Sequence, residues 1–146
     1  GDVYKRQGIV GLSKAMDLAY SDLKAHQDYV WNLKSHMISQ LKSHFDDIYF
    51  HGEIERENSL YTVLNVCFPK TEKASMLLFT LDLKGIAASG GSACSSGSNK
   101  GSHVLDGIDA DMNRPNVRFS FSRYTTMQDI DYAITEIVNI FNNNIV

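Results

Sequence analysis

Cysteine is scarce. The chain carries two in 146 residues, Cys67 and Cys94. Neither belongs to a CxxC pair and neither has a histidine at metal-ligand spacing, so no zinc site and no disulfide framework is expected, and a reducing cytosol is the expected compartment. Positive charge is not in excess: 14 Lys and Arg face 17 Asp and Glu, for a formal net charge of −3. That balance argues against a nucleic-acid binder, which carries a basic footprint. No apolar run reaches the roughly 18 residues needed to span a bilayer, so no membrane partner is expected. The opening GDVYKRQ is polar and lacks the apolar stretch of a secretory signal. Internal repeats are also missing. What remains is ordinary globular material: hydrophobic residues make up 43% and charged ones 21%, enough apolar side chain for one small packed domain.

Residues 8–45 carry a helical stripe. Leu12, Met16, Ala19, Leu23, Val30, Leu33, Met37 and Leu41 recur at three- and four-residue steps with no proline among them. A straight helix of that length would run about 55 Å, so it should either cross a larger neighbour or kink. His26 falls on the stripe and reads as a helix-face histidine at the edge of the packing. Ile48-Tyr49-Phe50 is a short apolar run before a polar turn at His51-Gly52, and 53–59 is a charged loop. Residues 60–68 (LYTVLNVCF) read as a strand stopped by Pro69. Thr71 is a candidate cap for a helix with Ala74, Leu77, Leu78 and Leu81 on one face and Gly85 just past its end. Ile86-Ala87-Ala88 suits a short strand. Residues 89–102 (SGGSACSSGSNKGS) have almost no side-chain bulk and read as a loop. Val117, Phe119 and Phe121 alternate with Arg118 and Ser120, as in a half-buried strand. Thr125 with Gln128 resembles a capping box, opening a final helix with Ile130, Ala133, Ile134, Ile137 and Phe141 on one face. The expected fold class is α/β (α+β), with helices covering a small sheet.

Two residues stand out chemically. Cys94 lies inside the Gly/Ser segment, where nothing apolar surrounds it in sequence. An exposed thiol oxidises unless it is used. It reads either as a nucleophile on a swinging loop or as an incidental thiol in a linker, and composition does not choose. The nearest cation in sequence is Lys100, so activation would have to come from the fold or a cofactor. Arg118 projects from the polar face of its strand. A guanidinium on a rigid strand can grip a carboxylate through two parallel hydrogen bonds, or it can form a surface ion pair. Arg114 and Arg123 lie in flanking loops and read as solvated. Cys67 reads as a small core hydrophobe. The Gly/Ser segment is no phosphate cradle, since it lacks GxxxxGK[ST]. His103 belongs to a short helix over 102–107 that Ser102 would cap.

GIAASGGSACSSGS, SHVLDGI and NVRFSFSRYTTMQDIDYAITEI together resemble the C-terminal part of the cysteine desulfurases of the NifS/IscS-like group, pyridoxal-phosphate enzymes of the class V aminotransferase fold. GIVGLSKAMDLAY resembles the helix that opens that family's small domain, and SLYTVLNVCFP its next strand. The resemblance covers about residues 8–140. It implies the small C-terminal domain of the fold-type I fold, over 8–146. It also implies conversion of L-cysteine to L-alanine, with the sulfur passed as persulfide to Cys94 while Arg118 holds the substrate carboxylate. The spacing from Cys94 to Arg118 resembles the subgroup with an extended cysteine loop. Implied partners are L-cysteine, sulfur acceptors such as an iron–sulfur scaffold, and a second subunit in a homodimer. Implied, too, is pyridoxal 5'-phosphate, but the family's Schiff-base lysine lies in a large N-terminal domain. Lys5, Lys14, Lys84 and the other lysines here match no such residue, so the isolated chain is expected to be inactive. Residues 1–7 do not match the family's RSGTEN-like stretch and are expected to be foreign. A free-standing persulfide carrier, a selenocysteine lyase and another class V enzyme are the alternatives.

Overall fold

The computed structural model describes residues 2–71, 76–90 and 102–142. The expected long helix is two: α1 (Asp2–Ser21) and α2 (Leu23–His44), parted at Asp22, whose backbone leaves the helical region at φ −125°, ψ 23°. The stripe divides there as well. Val30, Leu33, Met37, Ile38 and Leu41 of α2 are buried, whereas Leu12 and Met16 of α1 are 63% and 49% exposed. Periodicity reports where apolar side chains fall, not whether a neighbour covers them.

Among the described residues three short strands come after α2: β1 (Tyr49–His51), β2 (Val63–Cys67) and β3 (Asn116–Ser120). They form one antiparallel sheet in the order β1-β2-β3. β2 is shorter than the sequence suggests, because Tyr61 and Thr62 are spent in a turn. Ile86–Ala88 builds no strand; the sheet is extended there by a single antiparallel bridge, Ser89 to Arg118. The helix expected after Thr71 is α3 (Leu77–Leu83), closed by Gly85 at φ +74°, a left-handed conformation that favours glycine. Ser102 caps α4 (His103–Gly107) by accepting the Leu105 N–H. The last helix, α5 (Met127–Asn142), opens one residue later than Thr125 and Gln128 suggest. The box forms between Thr126 and Asp129: the Asp129 carboxylate accepts the Thr126 N–H at 2.8 Å, and the Asp129 N–H donates to the Thr126 hydroxyl at 3.2 Å. A carboxylate serves as well as Gln there and adds charge against the helix dipole.

Leu64 and Val66 of β2 with Phe68 just past it, and Val117 and Phe119 of β3 with Phe121 just past it, bury one sheet face against α2, α3 and α5. Phe68 packs against Phe45, Phe119 and Phe141 at ring-centroid distances of 5.6–6.5 Å. His36 on α2 and Asp131 on α5 meet at 2.6 Å at the rim of this core. Lys34 is the exception inside it. The side chain is 2% exposed, and its ammonium donates to the Ser59 hydroxyl and the Leu60 carbonyl, which pins the chain just before β2. Burial holds its pKa below the ordinary lysine value.

Replacing Leu33 by Ala should cost about 2–5 kcal/mol in urea unfolding of this chain, whereas Leu12→Ala should stay within about 0.5 kcal/mol. Equal losses would mean that α1 is packed. With Lys34 depressed on folding, the unfolded chain binds more protons between the lowered pKa and the ordinary one, so stability rises with pH across that window. Lys34→Met should flatten this alkaline rise in a pH series of melting temperatures.

Candidate functional site

The sheet has a second face, and β-strand alternation fixes what it carries. Since Phe50, Leu64, Val66, Val117 and Phe119 turn to the core, their neighbours turn away. The register sets these in rows: Tyr49, Cys67 and Asn116; then His51, Asn65 and Arg118; then Val63 and Ser120. This face carries the polar side chains of the strands, with Tyr49, Cys67 and Val63 among them, where the other is aliphatic and aromatic.

Arg118 lies where the alternation put it, exposed, on the face opposite Val117 and Phe119. Its backbone is clamped to Ser89 in both directions: the Arg118 N–H donates to the Ser89 carbonyl at 2.6 Å, and the Ser89 N–H donates to the Arg118 carbonyl at 3.1 Å. The Arg118 Nε–H donates to the Ser89 hydroxyl at 3.1 Å. No acidic side chain among the described residues forms an ion pair with Arg118. A surface ion pair was one of the two readings open to this residue, and the described residues supply no partner for it.

Arg114 was expected in solvent and is not there. Its guanidinium side chain is 10% exposed, pairs with the Asp47 carboxylate at 3.1 Å, and donates to the carbonyls of Phe68 and Asp47 at 2.8 and 2.7 Å. It also lies over the Tyr49 ring, 4.8 Å from the centroid. These contacts tie the β3 approach to the end of β2 and to the turn after α2. Nothing local in the sequence marks it as buried, because its partners come from segments 46 and 67 residues away. Arg123 is exposed in the loop after β3, as expected, and lines a cavity of about 270 Å³ with Leu18, Asp22, His26 and Tyr29. Cys67 is buried at 3% exposure, and burial pushes its thiol pKa up, which makes it a poor nucleophile at neutral pH. His51 was read only as part of a turn. Its Nε2 meets the Asn116 side-chain oxygen at 2.6 Å, and Asn116 donates on to the carbonyls of Asp111 and Arg114, so it braces β1 against β3. His103 is exposed at the start of α4. Cys94 lies outside the described residues.

The sequence profile of the class-V aminotransferases matches residues 5–133. This chain belongs to that family. Curated relatives include the cysteine desulfurase IscS of Dictyoglomus turgidum, 35% identical over 129 residues (87% of this chain and 32% of that protein), and that of Photobacterium profundum, 34% identical over 131 residues (88% and 31%). A solved structure titled NifS-like protein superposes with a TM-score of 0.74 at 28% identity, covering 93% of this chain and 33% of that one. A NifS-like protein from Rickettsia africae shares the fold at a TM-score of 0.71 and 20% identity. The chain spans about a third of the length of the relatives it matches. The family implies pyridoxal phosphate, and the described residues do not fit its covalent anchorage. No lysine among the described residues stands on that sheet face: Lys34 is buried, Lys24 pairs with Asp28 and Lys84 with Glu136. No described helix is long and apolar enough to cross a membrane, and no cluster of His, Cys, Asp or Glu suited to a metal occurs among the described residues.

The two arginines should separate in mutagenesis. Arg114→Ala should destabilise the fold by about 1–3 kcal/mol, through carbonyls left without donors. Arg118→Ala, on the exposed face, should change stability by less than about 0.5 kcal/mol in the same denaturant titration.

Proposed function

We propose that this chain is the small domain of a cysteine desulfurase, with Cys94 as the persulfide-carrying nucleophile and Arg118 as the clamp for the substrate carboxylate. The observation that carries the reading is the Arg118–Ser89 bridge. It seats an arginine, without an acidic partner among the described residues, on a rigid strand and ties it to the residue five positions before Cys94. At about 3.3–3.6 Å per residue, covalent connectivity alone keeps the Cys94 backbone within about 18 Å of Ser89. In this reading the thiol and the guanidinium serve one site.

The net conversion balances without an external oxidant. L-Cysteine and the enzyme thiol give L-alanine and an enzyme persulfide: a sulfur–sulfur bond forms, the substrate carbon–sulfur bond breaks, and a proton replaces sulfur on carbon. Arg118 contributes orientation, holding the amino acid by its carboxylate so that the thiol group faces the nucleophile. Cys94 contributes the thiolate. Carbon–sulfur cleavage also needs an electron sink, which in this family is pyridoxal phosphate. In this reading the sink is held by the remainder of a longer protein, the full enzyme works as a homodimer in the cytosol, and a sulfur acceptor such as an iron–sulfur scaffold takes the persulfide. The relatives from Dictyoglomus turgidum and Photobacterium profundum are both named cysteine desulfurase, which favours this reading over a free-standing persulfide carrier or a selenocysteine lyase.

In the full-length protein, Cys94→Ser should abolish alanine formation from L-cysteine, by more than about 100-fold, and leave no persulfide detectable on the chain by mass spectrometry. Alanine formed at the unmodified rate would remove Cys94 from the mechanism. The chain on its own should form no alanine.

A further inference from the structure

Arginine can receive a carboxylate on either of two edges. The side edge uses Nε and one terminal nitrogen; the end uses both terminal nitrogens. In this structure the Nε–H is already committed to the Ser89 hydroxyl at 3.1 Å, and among the described residues the guanidinium has no other partner. The side edge is therefore closed, and no described residue takes the end.

Ser89 itself is held from several directions. Its backbone makes both hydrogen bonds of the bridge to Arg118. The next residue, Gly90, runs so close to its surroundings that an added Cβ would stand 2.2 Å from a Leu78 methyl carbon and 3.3 Å from the Asn116 carbonyl oxygen. A hydroxyl anchored in this way is a fixed acceptor. Left free, an arginine side chain samples many rotamers, and ordering it on binding weakens affinity.

We propose that Ser89 is a positioning residue for the Arg118 guanidinium, holding it by Nε so that the substrate carboxylate is received end-on by the two terminal nitrogens. This rests on the desulfurase reading of Arg118. Ser89 touches no reacting atom. Its effect falls on substrate binding, because the clamp is prearranged before the amino acid arrives, and it leaves the chemical step to other groups. The backbone bridge does not depend on the hydroxyl, so Ser89→Ala retains the strand geometry and removes only the anchor.

The test uses the full-length protein and three forms: wild type, Ser89→Ala and Ser89→Thr. Ser89→Ala is expected to raise KM for L-cysteine roughly tenfold, the effect of losing one charge-assisted hydrogen bond, with kcat changed less than about twofold. Ser89→Thr keeps a hydroxyl and is expected to restore KM. Inhibition by cysteamine, which has no carboxylate, is expected to be the same in all three. In parallel, proton exchange at the Arg118 Nε–H is followed by NMR with 15N-labelled arginine, and is expected to be slow in wild type and Ser89→Thr and fast in Ser89→Ala. Identical exchange in wild type and Ser89→Ala overturns the contact itself. Slowed exchange with an unchanged KM, with kcat falling instead, or with cysteamine affected alongside cysteine overturns the positioning role. A wild-type protein that forms no alanine overturns the desulfurase reading, and the inference with it.

Discussion

One pairing register governs this domain: Leu64 opposite Phe119, with Asn65 opposite Arg118 beside it. Side chains on a strand alternate, so this single choice decides which half of β2 and β3 faces the helices and which faces outward. A slip by one residue would bury a guanidinium among Leu33, Met37 and Ile137 and expose two phenylalanines. The cost of burying an unpaired charge makes that alternative prohibitive. The same apolar contacts that stabilise the fold thus hold the polar face in place.

Around that register the structure sorts its cations by what they touch. Lys34 is driven inside and satisfied by a hydroxyl and a carbonyl. Arg114 is locked by one carboxylate and two carbonyls. Arg118 is held by its backbone and by one edge of its guanidinium, and finds no countercharge among the described residues. The first two have spent their hydrogen bonds on architecture. The third keeps donors in reserve, which is the difference between a structural cation and one able to receive an anion.

Much of this was legible in the sequence, because it is local. The β3 alternation placed Arg118 on the outer face, Gly85 ended α3, Ser102 capped α4, and the apolar face of α5 was read nearly residue for residue. The resemblance to desulfurases was legible too, since it is carried by contiguous motifs, and the family assignment agrees with it. What escaped depends on contacts between distant segments. The burial of Arg114 needs Asp47 and Phe68, and that of Lys34 needs Ser59 and Leu60. The final cap moved by one residue because Thr125-Gln128 and Thr126-Asp129 overlap, and only the second brings a carboxylate to the helix start. The divided stripe of the first two helices had no local signal, for a break at Asp22 is a matter of one backbone conformation.

That break also partitions the energetics. Every described side chain from Val3 to Ser21 is exposed, so in this chain α1 rests mainly on its own backbone hydrogen bonds and helix propensity. A helix of 20 residues that buries none of its described side chains gains little from packing and is only marginally stable in water. Amide protons ahead of Asp22 should therefore exchange with solvent through local fraying, while those of β2, β3 and the buried turns of α2 wait for global unfolding. The cooperative unit of this chain begins at its second helix.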